Sequence, residues 1–160
     1  MKLAEALSLR SDAQKRLAQL VARAAASARY QEGEHPAEDA NALLAQARVL
    51  VDEAEDLVRR VNRTNAATEL EPGFTITDAI ARRDALAQRR RLVTAVADAA
   101  AGQHEPGTAM WAARQLRSEL RQVTDVPVAD LRREADDLAR QHRELDVRIQ
   151  EANWAVELAE

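Results

Sequence analysis

Apolar residues recur every three or four positions along most of this chain, which is the spacing of a single stripe on an α-helix. The clearest run is a stripe with a charged opposite side, formed by Leu43, Ala47, Leu50, Ala54, Leu57 and Val61. It then meets the polar quartet Asn62-Arg63-Thr64-Asn65. We therefore predict a helix over residues 40–64 that ends in polar side chains.

The same rhythm predicts three more long helices, over residues 3–30, over residues 77–101 and from about Pro127 onward. Residues that start or stop helices separate them: Gly33, Pro36, Asp39 as an N-cap, the turn Glu71-Pro72-Gly73, a Thr75/Asp78 capping box and Gly102. Because short loops join antiparallel neighbours, the pattern predicts an all-α, antiparallel up-and-down bundle of four long helices, as one domain over residues 1–160.

Residues 103–123 fit two interpretations. The stretch that begins at Met110 has the composition of a short helix capped by Thr108, whereas Leu120, Val123 and Val126 also suit an extended lead-in to the last helix. We favour a short extra helix before the last one.

Composition narrows the class of protein. Four Gly and four Pro leave little room for an all-β or loop-rich fold. A net charge of −4 argues against a general nucleic-acid binder, and the absence of cysteine excludes disulfides, thiolate zinc sites and thiol catalysis. No signal-peptide core or membrane-spanning apolar run is present, so we expect a soluble, cytoplasmic protein without a membrane span.

We call the apolar stripe of each helix its seam. Four seam positions carry polar side chains: Arg10, Arg83, Arg90 and His142. An arginine that points inward is costly unless it is paired. We therefore interpret these residues as buried or interfacial ion pairs in preference to an anion site. Nucleic-acid binding ranks last, since no aromatic residue is interleaved for base stacking.

A polar cluster is predicted where helices 2 and 4 end, because these two helices run parallel in such a bundle. Its members are Asn62, Arg63, Asn65, Arg83, Asp84, Asn153 and Trp154. Helix caps and an Arg63–Asp84 pair are the simpler interpretation. A pocket for a small anion or metabolite, with binding or catalysis, is the alternative.

Metal and catalytic chemistry have little support in the sequence. Glu32, Glu34 and His142 are weak metal candidates, and no Glu-x-x-His or His-Glu-x-x-His pair occurs. We find no nucleophile motif and no phosphate-binding glycine loop. We therefore predict no cofactor and lean against an enzyme.

Five short strings in order resemble one family: MKLAEAL, QEGE-x-PAED, NRTN, TDAIARRDAL and ELD-x-x-IQE-x-NW. The family is that of small bacterial all-helical proteins labelled septicolysin-like. The resemblance implies an all-helical bacterial protein. Its label implies membrane activity, which we rank as a remote third possibility.

The interpretation that the sequence favours is a structural or interaction protein that forms homo-oligomers. Long, alanine-rich helices offer much surface for little core, and a second copy would supply partners for the seam arginines. The identity of any small-molecule ligand stays open.

Overall fold

The computed structural model describes residues 1–103 and 123–160, and these residues form four long helices and one small β-hairpin. The elements are α1 (Leu3–Ser27), α2 (Ala40–Ala67), β1 (Glu69–Glu71), β2 (Phe74–Thr75), α3 (Ile76–Ala100) and α4 (Val128–Ala155). The predicted all-α fold with four long helices is confirmed. The short helix proposed near Met110 lies outside the described residues.

The chain divides into two compact units. The first contains Met1–Asp78 and Arg148–Glu160, and the second contains Ala79–Val147. α1, α2 and the hairpin therefore belong to the first unit, while most of α3 and α4 belongs to the second. That the chain is one domain stays a prediction.

In the first unit, α1 packs antiparallel against α2. Leu20 of α1 forms a buried cluster with Leu43, Ala47 and Leu50 of α2. The Arg23 side chain, near the end of α1, binds the Glu38 carboxylate, which lies two residues before the start of α2. Full burial of each leucine is worth about 1.5–3 kcal/mol, so the predicted stripe holds this pair together.

The predicted helix starts are confirmed by their hydrogen bonds. The Asp39 carboxylate accepts from the Asn41 backbone N–H at 2.8 Å, which caps α2. At the start of α3, the Thr75 N–H donates to Asp78 Oδ2 at 2.9 Å, and the Asp78 N–H donates to Thr75 Oγ1 at 3.2 Å. These reciprocal bonds form the predicted capping box.

The hairpin between α2 and α3 was not predicted, although the turn within it was. Pro72 and Gly73 lie between the paired residues Glu71 and Phe74, and Gly73 has a φ of +74°. A proline followed by a residue with positive φ is typical of a type II turn. The Arg148 guanidinium of α4 lies 2.6 Å from Glu71 Oε1 and fixes the hairpin to that helix.

In the second unit, α3 and α4 are antiparallel neighbours. Arg83 near the start of α3 contacts Asp146 near the end of α4, with 3.3 Å between Nη1 and Oδ1. The buried apolar residues of the unit come from both helices: Ala79, Leu86, Ala97, Leu138, Ala139 and Leu145. The α3 stripe predicted from the sequence is therefore buried or half-buried apart from Arg90; it consists of Ala79, Arg83, Leu86, Arg90, Val93, Ala97 and Ala100.

Two helix ends differ from the prediction. α1 ends at Ser27 instead of Tyr30, and α2 continues through the polar quartet to Ala67 instead of ending at Thr64. The quartet does not stop α2 because Thr64 is buried and its hydroxyl is satisfied inside the helix, donating to the Arg60 carbonyl oxygen at 2.8 Å.

Candidate functional site

The two ends of the chain meet beside the C-terminal turns of α2, and we call this arrangement the terminal clasp. It comprises Met1–Leu3, Arg60–Thr64 and Val156–Glu160. The Leu3 N–H donates to the Val156 carbonyl oxygen at 3.0 Å, and the Leu158 N–H donates to that of Met1 at 2.9 Å. The chain ends are thus joined as a minimal antiparallel bridge.

Thr64 and Arg60 connect α2 to this bridge. Thr64 Oγ1 accepts from the Ala159 N–H at 2.9 Å, and Arg60 Nε donates to the Ala159 carbonyl oxygen at 2.9 Å. The backbone N–H and the carbonyl oxygen of Ala159 are therefore both hydrogen-bonded to side chains of α2. Arg63 adds a hydrogen bond to the Glu160 carbonyl oxygen. The side chains of Arg60, Arg63 and Thr64 are thereby engaged with the chain's own backbone.

Charged groups complete the terminal clasp. Glu157 lies 3.2 Å from both the Lys2 Nζ and the Met1 amino nitrogen. Hydrogen bonds from Lys2 and from the Met1 amino group lower the pKa of Glu157 below its usual value. The carboxylate therefore remains charged in the folded chain at any pH near neutrality.

The residues predicted as a polar pocket are only partly brought together. Asn62, Arg63, Asn65, Asn153 and Trp154 all belong to the first unit. Asn62 and Arg63 are exposed, Asn65 is half-buried, Asn153 is 7% exposed and Trp154 is 65% exposed. A ligand pocket among them stays a prediction.

Arg83 and Asp84 belong to the second unit, where they pair with each other. Burial works against the charge of Arg83, but hydrogen bonds and charge attraction from Asp84 and Asp146 outweigh it and raise the Arg83 pKa. Arg83 is half-buried with two carboxylate partners, as an inward seam arginine requires. Arg63, the partner expected for Asp84, binds the Glu160 backbone instead.

The other seam residues behave differently from one another. Arg10 is half-buried, and its Nε is buried without a hydrogen-bond partner among the described residues. His142 is half-buried. Arg90 is exposed, in contrast to the expected inward position, because a long arginine side chain can leave a seam and place its charge in water. A role for these residues at an interface stays a prediction.

The metal candidates Glu32 and Glu34 are exposed in the loop before α2. Within residues 1–103 and 123–160, no group of three or more His, Asp or Glu side chains is arranged to hold a metal ion.

The outward side of α3 is apolar, which the sequence analysis missed. We define the α3 outer face as Arg89, Leu92, Val96 and Ala99, whose spacing of three, four and three residues puts them on one side of the helix. Leu92 is 66% exposed and Val96 is 40% exposed. Since Leu86 and Ala97 are buried on the other side, α3 is apolar on two faces.

A groove of about 520 Å³ runs along this face in the second unit. Its walls include Leu92, Val96 and Ala99 of α3 together with Val123 and Val126, which precede α4. Val123 is 86% exposed. The α3 outer face is therefore part of a larger apolar surface and not a single stray side chain.

A second stripe at helical spacing was the available signal for this surface. Leu92, Val96 and Ala99 recur at three and four residues, out of phase with Leu86, Val93 and Ala97. The sequence interpretation followed one stripe per helix and so overlooked the other.

Comparison with known proteins gives a family and a fold. A family model described as a family of unknown function (DUF6847) matches residues 10–158. A crystal structure of a functionally unknown conserved protein from Corynebacterium diphtheriae is similar to the chain, with 39% sequence identity, a TM-score of 0.88 and 99% of each chain covered. No curated protein sequence matches the chain.

These findings correct the resemblance proposed from the sequence. The match over residues 10–158 assigns DUF6847, and nothing links the chain to septicolysin-like proteins. The resemblance depended on five short strings, whereas the family model matches residues 10–158 as a whole. Membrane activity was suggested only by the septicolysin label, so this alternative is withdrawn with the resemblance. Across the described parts of the chain, no helix is both long and apolar enough to cross a bilayer.

Proposed function

The chain belongs to DUF6847, a family of unknown function, and we propose that its role is self-association: copies of the chain assemble through the α3 outer face. The assembly acts as a structural or interaction protein and not as an enzyme. This proposal keeps the homo-oligomer predicted from the sequence and moves its interface from the seam arginines to α3.

The observation that carries the proposal is the double apolar character of α3. A helix on the surface of a monomer buries one apolar face and gives the other to water. α3 buries Leu86 and Ala97, yet Leu92 is 66% exposed on a different side of the helix. A second apolar face favours a second packing partner.

The groove beside α3 strengthens this inference. Scattered exposed apolar residues are normal on a protein surface, but a contiguous patch typically marks an interaction site. Leu92, Val96, Val123 and Val126 line one continuous groove. Full burial of an exposed leucine or valine is worth about 1.5–3 kcal/mol. Leu92 and Val96 are already partly covered, so each contributes only a fraction of that figure toward offsetting the entropy lost on association.

Light scattering coupled to size exclusion tests the proposal. We expect a mass that is a multiple of 17.7 kDa and that falls toward one chain on dilution. Val96→Glu places a charge in the apolar groove, so it should reduce the mass to that of one chain. A mass of one chain for the unmodified protein at every concentration would contradict self-association.

Val147→Glu is the matched control, because Val147 is also an exposed helical valine of the second unit, at 56%, but lies on α4 outside the groove. We expect this variant to keep the mass of the unmodified protein. If Val147→Glu dissociates the assembly and Val96→Glu does not, the interface lies on α4 and the assignment to α3 is wrong. Circular dichroism must show that both variants are as helical as the unmodified chain.

A further inference from the structure

A second exposed strip, on α2, has the same residue spacing as the α3 outer face, with its charged and apolar residues in the opposite order along the chain. We define the α2 outer face as Ala42, Ala45, Val49 and Asp52, which are all exposed and lie opposite the buried residues Leu43, Leu50 and Val61. Their spacing is three, four and three residues, as it is for Arg89, Leu92, Val96 and Ala99. Both strips therefore extend over about three helical turns, close to 15 Å.

The chemistry of the two strips is complementary. The α3 outer face begins with a cation, Arg89, and continues with apolar residues, whereas the α2 outer face begins with apolar residues and ends with an anion, Asp52. Glu53 and Asp56 extend the acidic end, and Arg90 and Arg91 extend the basic end. Neither Arg89 nor Asp52 forms an ion pair with a described residue. Arg89 also borders a separate groove whose walls include Asp130, Glu134 and Asp137 of α4.

We infer that the α3 outer face of one copy packs antiparallel against the α2 outer face of a second copy. Arg89 then faces Asp52, Leu92 faces Val49, Val96 faces Ala45, and Ala99 faces Ala42. This inference rests on the proposed self-association and adds its register. A parallel arrangement puts Arg89 beside Ala42 and Asp52 beside Ala99, so that it forms no opposite-charge pair between the two faces.

Side-chain size agrees with the antiparallel register. Each of the larger residues, Leu92 and Val96, meets a smaller one, Val49 or Ala45, so the two helices approach without steric conflict. The last pair, Ala99 and Ala42, permits the closest approach.

Cysteine cross-linking tests the register, because the chain contains no cysteine of its own. Val96→Cys, Ala45→Cys and Val49→Cys are purified separately, and the first is mixed with each of the other two under mild oxidation. The antiparallel register puts Val96 against Ala45 of the other copy, within the Cβ separation of about 3.5–4.5 Å that a disulfide needs. We expect Val96→Cys to link preferentially to Ala45→Cys.

Val49→Cys is the control for orientation, since position 49 faces position 96 only in the parallel arrangement. Preferential linkage of Val96→Cys to Val49→Cys would therefore overturn the inference. An unmodified protein that is oligomeric, with neither mixture cross-linked, overturns the inference and leaves self-association standing. A mass of one chain at all concentrations removes both.

Charge reversal gives an independent test. Arg89→Glu and Asp52→Arg each bring like charges together, and we expect each to weaken self-association by roughly three- to tenfold. An equimolar mixture of the two variants restores an opposite-charge pair between different copies, so hetero-association should recover. If neither Arg89→Glu alone nor Asp52→Arg alone changes the dissociation constant, the pairing of Arg89 with Asp52 is contradicted.

Discussion

The terminal clasp and the α3 outer face differ in whether their side chains contact the rest of the chain or water. In the clasp, the polar groups of Arg60, Arg63 and Thr64 bind backbone atoms of Ala159 and Glu160. On the α3 outer face, Leu92 is 66% exposed. Arg63 was predicted from the sequence to belong to a polar cluster, but its side chain binds the Glu160 backbone in the clasp. Among the described residues, the surface that remains exposed is the apolar one on α3.

The contrast predicts opposite effects for two leucine truncations. Leu3 is 0% exposed, so Leu3→Ala leaves a cavity and should lower the free energy of unfolding by about 2–5 kcal/mol. Leu92→Ala removes exposed surface from a single chain, and at dilutions where the chain is monomeric we expect a change within about 0.5 kcal/mol. Urea unfolding measures both.

The order of the two variants should be reversed when the dissociation constant of self-association is measured instead of stability. We expect Leu92→Ala to raise the dissociation constant and Leu3→Ala to leave it unchanged wherever the variant remains folded. A strongly destabilised Leu92→Ala monomer would show that Leu92 belongs to the core, and the contrast between the two regions would collapse.

A smaller effect is expected from the hydroxyl in the clasp. Thr64→Val removes the acceptor for the Ala159 N–H while keeping the side-chain shape, and it should cost about 1–3 kcal/mol of unfolding free energy. Thr94→Val on α3 is the matched control, because Thr94 is exposed and helical. We expect the control to change stability by less than about 0.5 kcal/mol. Equal losses for the two variants would mean that the bond to Ala159 is not what stabilises the clasp.

The helices could be predicted from the sequence because local rules define them. Three-four periodicity located all four long helices, and the caps at Asp39 and Thr75 were visible as side-chain types at fixed positions. The end of α2 was misplaced because the polar quartet was expected to stop the helix, whereas the Thr64 hydroxyl is satisfied inside it by the Arg60 carbonyl oxygen. The same hydroxyl also accepts from the Ala159 N–H, 95 residues away, and this contact was not predicted. A contact so distant in sequence leaves no periodic trace.

The candidate sites were harder to predict, because the position of a charged group depends on the conformation of its side chain. The structure gives Arg83 its carboxylate partners Asp84 and Asp146, as an inward arginine requires, but Arg90 has the same seam phase and is exposed. Helical phase alone fixes the direction in which a side chain leaves the backbone. It does not fix where a long, flexible side chain places its charge.

The smallest predicted effect is the pH dependence of the stability that Glu157 contributes to the terminal clasp. Hydrogen bonds from Lys2 and the Met1 amino group lower the pKa of Glu157 from its usual 4.5. A lowered pKa in the folded state means that the carboxylate stabilises the fold above about pH 4.5, and that this contribution is lost as the pH falls through the lowered value.

The pKa values of Glu38 and Asp78 are also lowered, by hydrogen bonds from Arg23 and Thr75 respectively, so the acid response of the unmodified chain has several sources. The difference between the unmodified chain and Glu157→Gln isolates the clasp. We expect Glu157→Gln to reduce the melting temperature slightly at pH 7 and the two proteins to converge below the lowered pKa. Glu151→Gln, an exposed α4 carboxylate without an ion pair among the described residues, should match the unmodified chain throughout. A Glu157→Gln difference that is the same at pH 7 and in acid would show that the charge of Glu157 does not hold the chain ends together.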